Sequence, residues 1–401
     1  MTDMTARTTA DTKTDAADAA DDAGSVSARI PGSGPGEGHE AAEILASART
    51  QVDPELRRAI DSLPGSLRRI ALYHFGWEHA DGTPASGNAG KAIRPALVLT
   101  AVRALGGEPA AAVRAAAAVE LVHNFTLLHD DVMDRDTTRR HRPTAWTVFG
   151  EAGAILTGDA LQALAQRLVA EDPHPGAPAA AARLTACVVE LCAGQLADSA
   201  LEARSPDEVT LEECLAMAEA KTGALLGCAC ALGAVYAGAG EEEADALDGF
   251  GREAGLAFQL IDDVIGIWGD PSRTGKPAGA DLAARKKSLP VVAALASGTP
   301  AAAELAELYG RSKDDGARGA DRTGIGKTGI GKTGIETAGG TGEFAVRAAR
   351  AVECAGGRDW AQVHAADRMS KAVGQLAGAV PDPESAGGLL ALAEFVTRRT
   401  Y

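Results

Sequence analysis

Aromatic side chains are scarce. Phe, Trp and Tyr together make 4% of the chain, against 46% for all hydrophobic residues. Alanine fills the difference, and alanine is the best helix former while aromatics enrich strands. Text alternating apolar and polar, the mark of a half-buried strand, is also missing. Positive charge is in deficit, with a formal net charge of −16. A chain this acidic is a poor general binder of nucleic acid or of an anionic membrane. Any anionic ligand must then be held by a local basic cluster or by metal ions. No unbroken apolar run reaches the ~18–20 residues of a membrane span, so no span is expected. The N-terminus lacks the apolar stretch of a secretory signal. None of the six cysteines stands in the paired C-x-x-C spacing of a zinc site. Cys228 and Cys230, in an alanine-rich run, read as small core residues. A reducing, cytoplasmic setting fits this cysteine usage.

What is present falls into blocks. Residues 1–42 hold almost no large apolar side chain and end in the glycine-rich "RIPGSGPGEGHE" and a short lead-in. Such a segment does not repay its ordering entropy, so a disordered tail is expected. It serves as a solubilising tail or docks a partner enzyme or protein shell. From residue 43 onward the text is helical, with breakers at "EDPHPGAP" (171–178), "RSPDE" (204–208) and "GDPSRTGKP" (269–277). Residues 98–129 and 181–201 read as long helices, apolar on more than one face and therefore buried. A second low-complexity block, 311–343, interrupts this domain before helical text resumes and runs to residue 401. It contains "GIGKTGIGKT" (324–333), a literal match to the phosphate-loop pattern from Gly326 to Thr333. A working phosphate loop joins a buried strand to a helix, and here "DDGARGADRT" precedes it. The match is read as the by-product of a duplicated pentapeptide.

The chemistry lies elsewhere. "VELVHNFTLLHDDVMDRD" (119–136) puts Asp130 and Asp134 four residues apart, on one helical face, with Asp131 adjacent. Such carboxylates repel unless a cation intervenes, and hard oxygen ligands suit Mg²⁺. A second acidic pair, Asp262 and Asp263, ends the apolar run "FQLIDD", with Gln259 one turn earlier. Basic residues recur beside these motifs: Lys91 and Arg94 in "GKAIRP", Arg139 and Arg140 in "RRHRP", Lys221 in "KTGALL". Lys276 in "RTGKPAG" and Lys286 with Lys287 in "AARKKSLP" complete the set. Mg²⁺ with Lys and Arg is what a diphosphate requires.

Taken in order, GKAIRP, HNFTLLHDDVMD, RRHRPT, GQLAD, KTGALL and FQLIDD with GKP-AGADLAARKK resemble the landmarks of the trans-isoprenyl diphosphate synthase, or polyprenyl synthetase, family. The resemblance implies an all-α, isoprenoid-synthase-type bundle of about ten core helices around a deep central cavity, working as a homodimer. It implies a prenyltransferase that joins an allylic prenyl diphosphate to isopentenyl diphosphate, with about three Mg²⁺ ions per site. Carried over by motif, Asp130, Asp134 and Asp262 would hold metal, supported by Asp131 and Asp263. Arg139, Lys221 and Lys276 would hold the allylic diphosphate, and Lys286 would also serve substrate binding. Lys91, Arg94, His123 and Arg140 would hold isopentenyl diphosphate. Thr222 and Gln259 would face the developing cation. The proton lost at the end would go to the departing diphosphate.

Two departures stand out. The second acidic motif reads Asp262-Asp263-Val264-Ile265-Gly266, with glycine at its usual fifth-position acid and Asp270 further on as the substitute. The first basic motif lacks the common arginine after its lysine. Chain length in this family is set by bulky residues just before the first acidic motif. Phe125, with Thr126 beside it and Leu121 one turn deeper, resembles the arrangement in synthases making geranylgeranyl diphosphate. Two alternatives remain at this level: a class I terpene cyclase, and an inactive regulatory subunit of a prenyl synthase.

Overall fold

The computed structural model describes residues 37–85, 90–271, 278–310 and 338–397. Among the described residues, ten α-helices lie between Glu37 and Trp268. They are α1 (Glu37–Asp61), α2 (Gly65–His74), α3 (Ile93–Ala104), α4 (Val113–Met133) and the short α5 (Ala145–Phe149). Then come α6 (Glu151–Ala170), α7 (Ala177–Ala203), α8 (Leu211–Ala218), α9 (Ala224–Tyr236) and α10 (Glu241–Trp268). Six further helical segments follow among the described residues: Ala280–Ala283, Leu289–Leu295, Pro300–Gly310, Ala338–Cys354, Gly357–Ala379 and Pro383–Thr397. Among the described residues the only sheet is a two-stranded hairpin, Thr138–Arg139 against Arg142–Pro143. The described residues form one compact unit, and the all-α expectation is met.

Local signals explain several boundaries. Thr210 and Glu213 close a reciprocal capping box at the start of α8: the Glu213 N–H donates to Thr210 Oγ1 at 3.2 Å, and the Thr210 N–H to Glu213 Oε2 at 3.0 Å. α10 opens on Glu241, Glu242 and Glu243, which complement the positive end of the helix dipole. The expected long helix over 98–129 is in fact two helices. Gly106, at φ +74°, and Pro109 break it, because neither a left-handed residue nor a proline continues a helical turn.

Two expected boundaries move. α1 starts at Glu37, so the last residues assigned to the tail are helical. The helix after the low-complexity block starts at Ala338 rather than beyond 343. Glycine-rich text masked both starts, since glycine lowers helix propensity without preventing a helix that packs. The phosphate-loop match at 324–333, most of the tail and Lys276 lie outside the described residues.

The main core joins α1–α4, α6, α7, α9 and α10, with Leu121, Leu128, Leu161, Leu184 and Leu232 fully buried. Each such leucine is worth roughly 1.5–3 kcal/mol of burial. Two smaller clusters flank the end of α10, one around Ile267, Leu282 and Tyr309, the other around Leu260, Val264 and Leu289. Alanine and glycine let the helices approach closely. A methyl group on Gly194 of α7 would lie 2.6 Å from the Lys221 backbone nitrogen, so α7 and the segment after α8 pack backbone to backbone there.

Three stretches are long and apolar enough, by length and composition, to cross a membrane: Pro109–Met133, Ala177–Ala203 and Leu211–Tyr236. This differs from the expectation of no span, because charged residues such as Arg183, Glu190 and Asp198 punctuate these helices and leave no continuous apolar run. The first and third bury 67% and 61% of their most apolar window inside the fold, which accounts for their hydropathy as core packing.

Candidate active site

α4 ends in the first acidic group. Asp130 lies in its last turn, and Asp134 caps it, the Asp134 N–H donating to the Asp130 carbonyl at 2.8 Å. Asp131 points away from solvent, 1% exposed, and accepts from Arg139 Nε at 2.7 Å. Its second oxygen is buried with no protein partner. Burial pushes the Asp130 carboxyl up to about 6; Asp134 and Asp198 add repulsion, and Lys221 and Arg139 oppose it. Asp134 is raised for the same reasons, desolvation first, with Asp198 and Asp136 repelling.

Facing this group is a π-helical turn, Glu219–Gly223, between α8 and α9. Such turns interrupt the helical ladder and are frequent at functional sites. This one carries Lys221 and Thr222. Lys221 Nζ forms a close ion pair with Asp198 of α7. Thr222 Oγ1 donates to Gln259 Oε1 at 2.9 Å, and Gln259 Nε2 donates to Asp263 Oδ1 at 2.8 Å. The amide is thereby oriented with its oxygen toward Thr222.

The second acidic group sits in the last turns of α10. Asp263 is buried and fully engaged: Oδ2 accepts from the Leu289 N–H at 2.9 Å, and Lys286 Nζ lies 3.8 Å from Oδ1. Asp262 is half-buried, on the face that Asp263 leaves. Lys286 is held above its usual range chiefly by Asp263, against the cost of burial, with Asp281, Asp198 and Asp262 adding. Asp198 therefore acts on both groups: on Asp130 and Asp134, and on the lysine that also feels Asp262.

A cation cluster forms around Gly90. Arg49 of α1 donates to the Gly90 carbonyl. Arg140 packs on the other side, its Nη2 2.7 Å from where a Gly90 side chain would begin. Gly90 stands at φ +115°, a conformation only glycine adopts without strain. Arg140 and His141 form the left-handed tip of the hairpin, at φ 51° and 61°. Burial, with Arg94, Arg140 and Arg139 nearby, keeps His123 neutral, well below its ordinary range. Arg94 Nε is buried without a partner, and the Lys91 ammonium lies 5.1 Å over the Phe395 ring.

The structure thus brings Asp130, Asp134, Lys221, Thr222 and Gln259 to one region, with Asp262, Asp263 and Lys286 linked to it. It gathers Arg94, His123 and Arg140 in a neighbouring cluster. Arg139 spends one of its five donors on Asp131. Leu121 and Phe125 are buried on α4, with Phe125 edge-on to His129 at 5.5 Å, and Thr126 Oγ1 donates to the His123 carbonyl at 2.8 Å. Sequence reasoning missed Arg49, Gln195 and Asp198. The last two lie inside the quoted GQLAD, and both side-chain polar atoms of Gln195 are buried without a partner.

Divalent cations fit the chemistry of these donors. Among the described residues no three His, Cys, Asp or Glu side chains converge as a ready-made cage. Mg²⁺ ordinarily takes one or two carboxylates and completes its shell with phosphate oxygens and water. Burial raises the carboxyls of Asp130 and Asp134 in spite of Lys221 and Arg139, and a bound cation would favour their charged form.

The chain matches the family model for polyprenyl synthetase over residues 83–320. A geranylgeranyl diphosphate synthase of Mycobacterium tuberculosis is 46% identical over 89% of this chain and 93% of its own length. A (2E,6E)-farnesyl diphosphate synthase of the same species is 42% identical over 89% of this chain and 92% of its own. The crystal structure of a polyprenyl synthetase from Streptomyces coelicolor superposes with a TM-score of 0.79 at 44% identity, covering 89% of this chain and 99% of that one.

Proposed function

The chain belongs to the polyprenyl synthetase family and is a prenyl diphosphate synthase, and from that premise we propose that it condenses an allylic prenyl diphosphate with isopentenyl diphosphate, with Mg²⁺, chiefly to geranylgeranyl diphosphate. The observation that carries this reading is the hydrogen-bonded relay from Thr222, next to Lys221 and its partner Asp198, through Gln259 to Asp263, which ties the turn beside the first acidic group to the second. The allylic diphosphate would lie between the two acidic groups, its leaving group toward the acids and Lys221. Asp130, Asp134 and Asp262 would hold Mg²⁺, which would supply charge stabilisation for the leaving diphosphate.

The chain's own residues do the remainder. Lys221 exchanges its contact with Asp198 for one with substrate, adding a fixed cation. The Thr222 hydroxyl donates its hydrogen bond to Gln259, which turns the hydroxyl lone pairs outward, and the oriented Gln259 oxygen adds a second negative dipole end. Both oxygens suit an allylic cation. Arg94, Arg140 and Lys91 hold isopentenyl diphosphate beside neutral His123, and positioning supplies much of the remaining acceleration. A class I cyclase has no use for that cluster, and an inactive subunit has no use for an intact first acidic group.

For product length, the support is Phe125: buried, five residues before Asp130, with no insertion in DDVMD. A homodimer is supported by an exposed apolar face on α6 and α7. Leu156, Val189 and Leu196 are 58%, 67% and 73% exposed, and Val189 and Leu196 are seven residues apart on one helical face. The test is product analysis with dimethylallyl, geranyl and farnesyl diphosphates, each with isopentenyl diphosphate and Mg²⁺. Geranylgeranyl diphosphate as the end product from all three supports the reading. Termination at farnesyl diphosphate overturns the product, and hydrocarbon formed without isopentenyl diphosphate overturns the reaction.

A further inference from the structure

Gly266 lies four residues after Asp262 on α10, so the two α-carbons share a face. Gly266 has no side chain, yet the space beside it is filled. A methyl group added there would sit 2.1 Å from Asp281 Oδ2, 2.6 Å from its Cγ and 3.1 Å from Oδ1. The Asp281 carboxylate occupies the volume that an acidic side chain at 266 would otherwise reach.

This placement is built. The Gly279 N–H donates to the Ile267 carbonyl at 3.1 Å, tying the segment to α10. Leu282, next in sequence to Asp281, is fully buried in the cluster with Ile267. The Lys286 N–H donates to the Asp281 carbonyl at 2.9 Å, which closes the turn and brings the Lys286 side chain beside the acids. Asp270, the substitute suggested by the sequence, is exposed and lies beyond the Gly269 cap, off the helical face of Asp262.

We propose that Asp281 is the third carboxylate of the second acidic group, supplying from outside α10 the charge that Gly266 lacks and joining Asp262 in holding a divalent cation and its water shell. The inference rests on the diphosphate–cation reading above. It predicts an unusual reciprocity. A side chain at 266 and the carboxylate of Asp281 exclude one another, so Gly266→Ala would displace the carboxylate by on the order of an ångström. The displaced atoms end a flexible side chain, so the fold tolerates the change.

The test is Mn²⁺ binding to the full chain with inorganic diphosphate, followed by electron paramagnetic resonance of free Mn²⁺. Thermal melting of each variant checks that it is folded. Asp281→Asn is expected to weaken one class of Mn²⁺ site about tenfold or more while the others hold. Gly266→Ala is expected to do the same with Asp281 intact. Gly266→Asp combined with Asp281→Gly restores binding by returning a carboxylate to that volume. Folded Asp281→Asn that binds Mn²⁺ as tightly as the wild type overturns the proposal and leaves the parent reading standing. A wild-type protein that binds no Mn²⁺ with diphosphate overturns the parent reading itself.

Discussion

Asp198 on α7 and Lys221 on the π-helical turn form a close ion pair across the junction where Gly194 lets the two backbones touch. The pair stands beside Asp130 and Asp134, so the lysine is shared among carboxylates until an anion competes for it. Lys221→Ala is expected to raise KM for the allylic diphosphate and to lower kcat, with about a hundredfold loss in kcat/KM. Asp198→Asn keeps the side chain's shape but frees the lysine. It is expected to tighten inorganic diphosphate binding in the absence of metal, measured by calorimetry, and to raise the Mg²⁺ concentration needed for half-maximal rate.

Phe125 is the second lever. With its ring buried against His129, Phe125→Ala opens space along α4 toward Leu121. Chromatography of reaction products is expected to show chains longer than those of the wild type. The truncation also costs stability, about 3 kcal/mol where the ring is core and less where it floors a cavity. Unchanged product length in a folded variant contradicts the assignment.

The pH dependence of the metal-free protein follows from Asp130. Its carboxyl is raised to about 6, mainly by burial, from an ordinary value of 3.8. The native state therefore binds more protons than the unfolded chain between those values. Stability from this group is full below pH 3.8 and is lost as pH rises through about 6. Allowing for solvent screening of this half-buried group, the change is on the order of 1–2 kcal/mol. Urea melts of the metal-free protein at pH 5 and pH 7.5 are expected to show the contribution, and Asp130→Asn to flatten it. Cation binding runs the other way, weakening as pH falls through the same window.

Much of this site was legible in the sequence because its chemistry is local. Asp130 and Asp134 share a helical face by spacing alone, and Asp262 follows an apolar run that could only be a buried helix. What was not legible depends on chain segments meeting. Arg49 lies in an amphipathic helix with nothing to mark it, and only its contact with Gly90 reveals it. Asp281 sits fifteen residues beyond Gly266, and no periodicity connects the two. The split of the expected helix at Gly106 and the helical starts at Glu37 and Ala338 were hidden differently. Alanine and glycine text reads alike whether it packs or not, and tertiary contact decides.

The exposed face of α6 and α7 predicts self-association. Leu196→Arg places a charge in the middle of that face. Light scattering after size exclusion is expected to show a dimer for the wild type and a monomer for the variant. A wild-type monomer at micromolar concentration contradicts the proposed homodimer.

The most direct measurement of the central claim is single-turnover release of diphosphate from farnesyl diphosphate, with isopentenyl diphosphate and saturating Mg²⁺. The comparison is between the wild type and folded Asp130→Ala and Asp262→Ala variants. If acids on α4 and α10 jointly hold the cations that draw the leaving group away, each variant loses about a hundredfold to a thousandfold in rate. Losing both then costs far less than the product of the single effects. Near-wild-type release from either variant contradicts the account.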